Sequence, residues 1–143
     1  MSILTDFIIA DPAEVGEPTQ ETQARWGRSF PRLEFNGLDN NILAALWRAM
    51  DSTKDGLSLD RADTLVWPAS SPLVIRLPDD FTQSLANVSA ADVRAVATRW
   101  AAEEGMDVEG VTVEAAEYVL PQLGDFARRA QSAGKPLLLA ISA

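Results

Sequence analysis

The chain contains no cysteine and no histidine. The first absence excludes disulfides, thiolate nucleophiles and cysteine-ligated zinc. The second removes the commonest general base near neutral pH and the commonest zinc ligand. Ser-His-Asp and Cys-His mechanisms are therefore impossible within this chain. Catalysis here would have to use carboxylates, Lys, Tyr or Arg, or a bound metal or cofactor. P-loop, GxGxxG, GxSxG and HExxH motifs are absent too, so no cofactor is expected and the expectation leans away from an enzyme.

Basic residues are scarce. Twelve Lys and Arg stand against twenty-one Asp and Glu, a net charge of −9 spread evenly along the chain. Such a surface repels nucleic acid and anionic lipid and suits a basic protein partner. No run approaches the roughly eighteen apolar residues of a spanning helix. The start, MSILTDFIIADPAEV, lacks the basic opening and the long apolar stretch of a signal peptide. The expectation is a cytoplasmic protein with no nucleic-acid or membrane partner; its oligomeric state is not legible.

The 143 residues are 47% hydrophobic, enough for one globular domain with a sizeable core. Ile3 to Ala10 reads as a strand stopped by Asp11-Pro12, with a short helix to Val15. Gly16 to Gln23 reads as loop, and Trp26 to Pro31 has no clear period. Arg32 to Phe35 alternates like a short strand, and Asn36-Gly37 signals a turn. Asp39 caps a helix over Asn40 to Met50, where Ile42, Leu43, Leu46, Trp47 and Met50 fall on one face. Leu65 to Trp67 and Leu73 to Leu77 read as strands, the second bounded by Pro72 and Pro78.

A helix follows from Asp79, and another from Ser89 to Glu104, with Trp100 as the largest group on its apolar face and Gly105 as its stop. Thr112 caps a last helix over Val113 to Ala133. Pro121 predicts a kink or break in it. Leu137 to Ile141 closes the chain as a continuous apolar strand that belongs inside a sheet. The pattern predicts a single α+β domain over residues 1–143: a small mixed β-sheet with about four helices packed on it.

Three stretches carry candidate chemistry. Asp51 to Asp63 begins like a calcium loop at Asp51, Thr53, Asp55 and Gly56, but Ala62 stands where the bidentate carboxylate belongs, so no metal site is expected. Glu103 and Glu104 open an acidic run that includes Asp107, Glu109, Glu114 and Glu117. Paired carboxylates serve as acid and base or hold a cation, and negative charge at a helix C-terminus opposes the macrodipole. The plainer reading is a solvated helix end. The segment RWGRSFPR interleaves Trp26 and Phe30 with Arg25, Arg28 and Arg32, a potential seat for phosphate or carboxylate. Its plainer reading is pairing with the protein's own acids. Trp47 and Trp100 read as core. Trp26 reads as the best exposed aromatic, and Trp67, before Pro68, is open either way. The ligand-binding candidates are thus Glu103, Glu104, Asp107, Trp26, Arg28 and Trp67; no catalytic residue is assigned.

The stretches FPRLEFNGLDNNILAALWRAM, LVIRLPDDF, AVATRWAAEEG and LGDFARRAQSAGKPLLLAIS resemble a family of small acidic bacterial proteins with no assigned function. The resemblance covers roughly residues 30 to 141. It implies an α+β bacterial cytoplasmic protein and carries over no site residue.

Two functional readings follow. In the first, the chain is non-enzymatic and acts through protein–protein interaction, an immunity or antitoxin protein against a basic toxin being one form of it. In the second, it binds a small molecule or divalent metal, or is a carboxylate-based hydrolase, through the acids after Trp100. A concave site where Glu103 or Glu104 meets Trp67 or the Arg cluster would favour the second.

Overall fold

A computed structural model of the protein describes residues 4–16, 19–50, 65–67 and 73–142, and the side chains of Asn40 and of 65–67 fall outside that description. In chain order the elements are β1 (Leu4–Ile9), α1 (Pro12–Val15), α2 (Gln20–Ser29), β2 (Arg32–Asn36), α3 (Asn40–Met50), β3 (Leu65–Trp67), β4 (Leu73–Arg76), α4 (Asp79–Asn87), α5 (Val93–Ala102), α6 (Val113–Ala133) and β5 (Leu137–Ser142). The α+β class holds, with six helices on one sheet among the described residues rather than about four.

The sheet order is β2-β1-β5-β4-β3, so the first and last strands pair at its middle. All four pairings are antiparallel, which corrects the expectation of a mixed sheet. The reason lies in β5, which runs antiparallel to both β1 and β4 and so leaves no parallel neighbours at the centre. Its register sets Leu139 beside Phe7 and Ile75, and Leu138 beside Ile8 and Arg76.

Cross-strand partners share a face, so the sheet buries two different surfaces. Phe7, Ile9, Ile75, Leu137 and Leu139 face the main core with α3, α4, α5 and α6. Ile8, Val74, Leu138 and Ala140 face a smaller core closed by Val15 of α1 and Trp26 of α2. The continuous apolar runs of β1 and β5 are explained by this: both faces of the sheet centre are covered.

Local chemistry accounts for most boundaries. Asp11 precedes Pro12 at the start of α1, and its N–H donates to Glu14 Oε1 at 3.0 Å. Asp39 Oδ1 accepts from the N–H of Ile42 at 2.9 Å and caps α3. Thr112 Oγ1 accepts from the N–H of Ala115 at 3.1 Å and caps α6. Gly134 ends α6 at φ 67°, a left-handed conformation in which a side chain would be strained.

Three local expectations are revised. The segment read as loop and uncertain is helix α2; Thr19 Oγ1 accepts from the N–H of Thr22 and caps it. Helix α5 starts at Val93, because Ser89 Oγ bonds Asp92 Oδ2 at 2.8 Å and Asp92 N–H bonds the Ser89 carbonyl, forming a separate turn. The last helix runs unbroken through Pro121, whose neighbours Leu120 and Leu123 are buried in the main core. Packing there outweighs the single backbone bond that proline removes.

Candidate functional site

Helix α5 is held by its own side chains against α3. Trp100 is buried and its Nε1 donates to the Ile42 carbonyl at 3.0 Å. Arg99 Nε donates to the Ala49 carbonyl at 2.8 Å, one of the carbonyls that the last turn of α3 leaves without a helical partner. Arg48 Nε donates to Glu103 Oε2 at 3.3 Å. Glu103 is the C-cap residue of α5 and is about three-quarters buried against that arginine. Of the two adjacent acids, Glu103 is therefore an inter-helix tie, whereas Glu104 points into solvent.

The chain then turns through 103–112 before α6. The Val111 N–H returns to the Met106 carbonyl at 2.8 Å, and Met106 plugs into the core. Asp107 and Glu109 are exposed on this loop, and Glu114 is exposed in the first turn of α6. Glu117 binds Arg94 Nη1 at 2.7 Å. No described basic side chain pairs with Glu104, Asp107, Glu109 or Glu114. Among the described residues, no three acidic side chains come together as metal ligands do.

The same end of the molecule exposes apolar surface. Val108 and Tyr118 are 86% and 73% exposed, two of the three large hydrophobic residues that stand out in solvent among the described residues. Their chain neighbours Glu109 and Val119 line, with Phe35, Trp100, Val111 and Ala115 among others, a cavity of about 200 Å³. Sequence reasoning missed Val108 and Tyr118. Tyr118 could have been found, since it falls off the apolar stripe of Ala116, Leu120 and Leu123.

The basic-aromatic segment is built differently from its expectation. Trp26 is 3% exposed, so it is no surface aromatic; it fills the smaller core, and its Nε1 donates to the Val15 carbonyl at 3.3 Å. Arg28 and Arg25 are exposed on α2. Arg32 lies on β2, with Nε 3.2 Å from Asp6 Oδ1 and Nη2 bonded to Glu34. That contact to Asp6 is an ion pair without hydrogen-bond alignment, and Asp6 Oδ1 is buried without a hydrogen bond. Partial burial raises the Asp6 carboxyl above the ordinary aspartate range; Arg32 opposes the rise and Glu34 adds to it.

These placements separate the candidates. Trp26 and Arg28 belong to α2, on one face of the sheet, while Glu103, Glu104 and Asp107 follow α5 on the other. The acids and the Arg cluster do not meet. The backbone of Trp67 lies in β3 beside Val74, and its side chain lies outside the described residues, as does the whole of Asp51 to Asp63.

A second set of charges closes the far end of the sheet. Lys135 Nζ reaches Asp11 Oδ2 at 3.0 Å and Glu14 Oε1 at 2.6 Å. The lysine's hydrogen bond pulls the Glu14 carboxyl below the usual range, and the two carboxylates raise Lys135 in turn. Arg128 donates to the Ala86 carbonyl at 3.0 Å at the end of α4, and Arg129 stacks over Phe126 at 5.5 Å. No helix among the described residues is long and apolar enough to cross a membrane. No family model, curated protein or solved structure matches this chain.

Proposed function

We propose that this protein is a non-enzymatic binder of a basic protein, with the bacterial cytoplasm as its setting and inhibition of a toxin as one form the role takes. The observation that carries this reading is the end formed by 103–112 and the start of α6. Four carboxylates without a described cationic partner stand there beside exposed Val108 and Tyr118. Uncompensated acids speed encounter with a basic surface and select against acidic ones, and exposed aromatic and aliphatic groups supply contact area. A meeting of Glu103 or Glu104 with the Arg cluster would have favoured the small-molecule reading, and the sheet stands between them; the Trp67 side chain lies outside the described residues.

The test compares the native chain with the quadruple variant Glu104→Gln, Asp107→Asn, Glu109→Gln, Glu114→Gln as baits in a capture experiment. Basic proteins retained by the native chain and lost by an equally stable variant support the reading. Identical retention by both, or a large thermal shift with a divalent metal, nucleotide or sugar phosphate, overturns it.

A further inference from the structure

Strand β2 is one of the two outer strands described in the sheet, and its pairing with β1 fixes which of its backbone groups face outward. The N–H of Ile9 donates to the Pro31 carbonyl at 3.1 Å, and the register then sets Ile8 beside Arg32, Phe7 beside Leu33, Asp6 beside Glu34 and Thr5 beside Phe35. Bonded and non-bonded pairs alternate along an antiparallel ladder. Leu33 and Phe35 thus use their N–H and C=O groups on β1. Those of Arg32, Glu34 and Asn36 point away from the sheet, and no other described residue bonds them. An open row of this kind is a template for another strand.

Side-chain surroundings select what can pair there. Leu33 and Phe35 lie on the helix face of β2, partly buried against the main core. The cavity of about 200 Å³ lies against Phe35, Asn36 and Gly37, with Ala115, Val119 and Val111 across from them. An added strand would set alternate side chains on that same face, next to the cavity. Glu109 is part of the cavity's lining, and Asp107 and Glu104 precede it on the same loop. On the other face, Arg32 is shared between Asp6 and Glu34, and Arg25 and Arg28 of α2 are exposed, so the negative charge offered to a partner is that of the loop acids on the cavity side.

A second copy of this chain is the competing occupant. Two-fold pairing of β2 with itself about Glu34 would set that carboxylate against its own counterpart and destabilise the ladder, whereas pairing about Leu33 would set Arg32 against Glu34 of the second copy. Concentration-dependent dimerisation that protects the amides of 32–36 without any peptide would overturn the inference below.

We infer that the outer edge of β2 docks an extended basic segment of another protein, which adds as a further strand and seats an apolar side chain in the cavity beside Phe35. The inference rests on the protein-binding reading above and assigns it a place and a mode.

The probes are synthetic ten-residue peptides: one alternating Lys with Val, Leu or Phe, one of the same composition with the alternation scrambled, and one with Glu in place of Lys. Binding to the full chain is followed by fluorescence anisotropy and by amide hydrogen exchange. The alternating basic peptide is expected to bind about tenfold or more tighter than the acidic one, and more weakly as salt rises. The amides of Arg32, Glu34 and Asn36 gain protection on binding, whereas those of Leu33 and Phe35 are protected beforehand. Asn36→Pro deletes one outward donor at a strand end that tolerates proline. Ala115→Gln fills the cavity from an exposed helical position. Each is expected to weaken binding about tenfold while melting like the native chain.

Failure of every basic peptide to bind, or equal binding of the scrambled one, overturns the inference. Binding that shifts the amides of 104–114 and leaves 32–36 unprotected overturns the docking edge while supporting the acidic-surface reading. Equal binding of the acidic and basic peptides at the edge overturns both.

Discussion

The indole Nε1 of Trp100 donates to the carbonyl of Ile42 at 3.0 Å, joining α5 to α3 across the main core. Trp100 is 1% exposed and also lines the cavity beside β2. Two contributions are combined in this side chain, ring burial and one buried hydrogen bond. Trp100→Ala is expected to cost about 3–5 kcal/mol. Trp100→Phe keeps much of the apolar volume and removes the donor, so about 1–3 kcal/mol is expected. Urea denaturation followed by circular dichroism separates the two, and equal losses for both variants would contradict the division.

Glu103 and Glu104 are neighbours with different work. Glu103 meets Arg48 at 3.3 Å, with each side chain about a quarter exposed, while Glu104 is in solvent. A double-mutant cycle of Arg48→Ala and Glu103→Ala should give a coupling of about 0.5–1 kcal/mol, the upper range for a partly exposed pair. Glu104→Ala should leave stability unchanged within about 0.5 kcal/mol. A coupling near zero would remove Glu103 from the α3–α5 contact.

Arg99 makes a larger contribution than that pair. Its Nε satisfies the Ala49 carbonyl at 2.8 Å in the last turn of α3, where positive charge also complements the helix macrodipole. Arg99→Ala should destabilise by about 1–3 kcal/mol, and Arg99→Lys should recover part of the loss, since an ammonium keeps the charge without the planar fork. Thermal unfolding of both variants checks this, and indistinguishable melting of Arg99→Ala and the native chain would refute it.

How much of this was legible in the sequence depended on how many residues carried each signal. α3 and α6 have repeated apolar positions and side-chain caps, and their boundaries follow from Asp39, Thr112 and Gly134. α2 buries only Trp26, so it has no period to read; its cap, Thr19, lies in a polar stretch that resembles loop. A second layer was nevertheless implied, because Phe7-Ile8-Ile9 and Leu137-Leu138-Leu139 are apolar at every position and need cover on both faces. The separation of the acids from the Arg cluster could not be read, since it depends on which face of the sheet each helix takes. The proposed docking edge was equally hidden: Arg32 to Phe35 reads as a strand, but only the strand order makes it an edge.

Gly124 sits inside α6 where α4 approaches closely. A Cβ there would stand 3.3 Å from the Leu85 carbonyl oxygen. Alanine gains about 1 kcal/mol of helix propensity over glycine, and the tight contact offsets it. Gly124→Ala should therefore change stability by less than about 1 kcal/mol, while Gly124→Val should destabilise by about 2 kcal/mol or more through overpacking. A stabilised valine variant would show that α4 and α6 separate freely.

Two carboxyls should titrate on opposite sides of their ordinary values. Asp6 is raised above 3.8 chiefly by burial, so ionising it opposes folding; its unfavourable contribution is absent below 3.8 and develops as pH rises through the higher folded value. Glu14 is lowered below 4.5 chiefly by its hydrogen bond from Lys135; its stabilisation is present above 4.5 and is lost as pH falls through the lower folded value. Carboxyl-carbon NMR titration should place the Asp6 midpoint above 3.8 and the Glu14 midpoint below 4.5. Lys135→Met should move Glu14 back toward 4.5 and leave Asp6 unmoved, since the lysine contributes to the first shift and not to the second. Arg32→Met should raise Asp6 further, because the guanidinium is the group that holds its carboxyl down. A fall in the Asp6 midpoint on that substitution would show that the ion pair across β1 and β2 is not formed in solution.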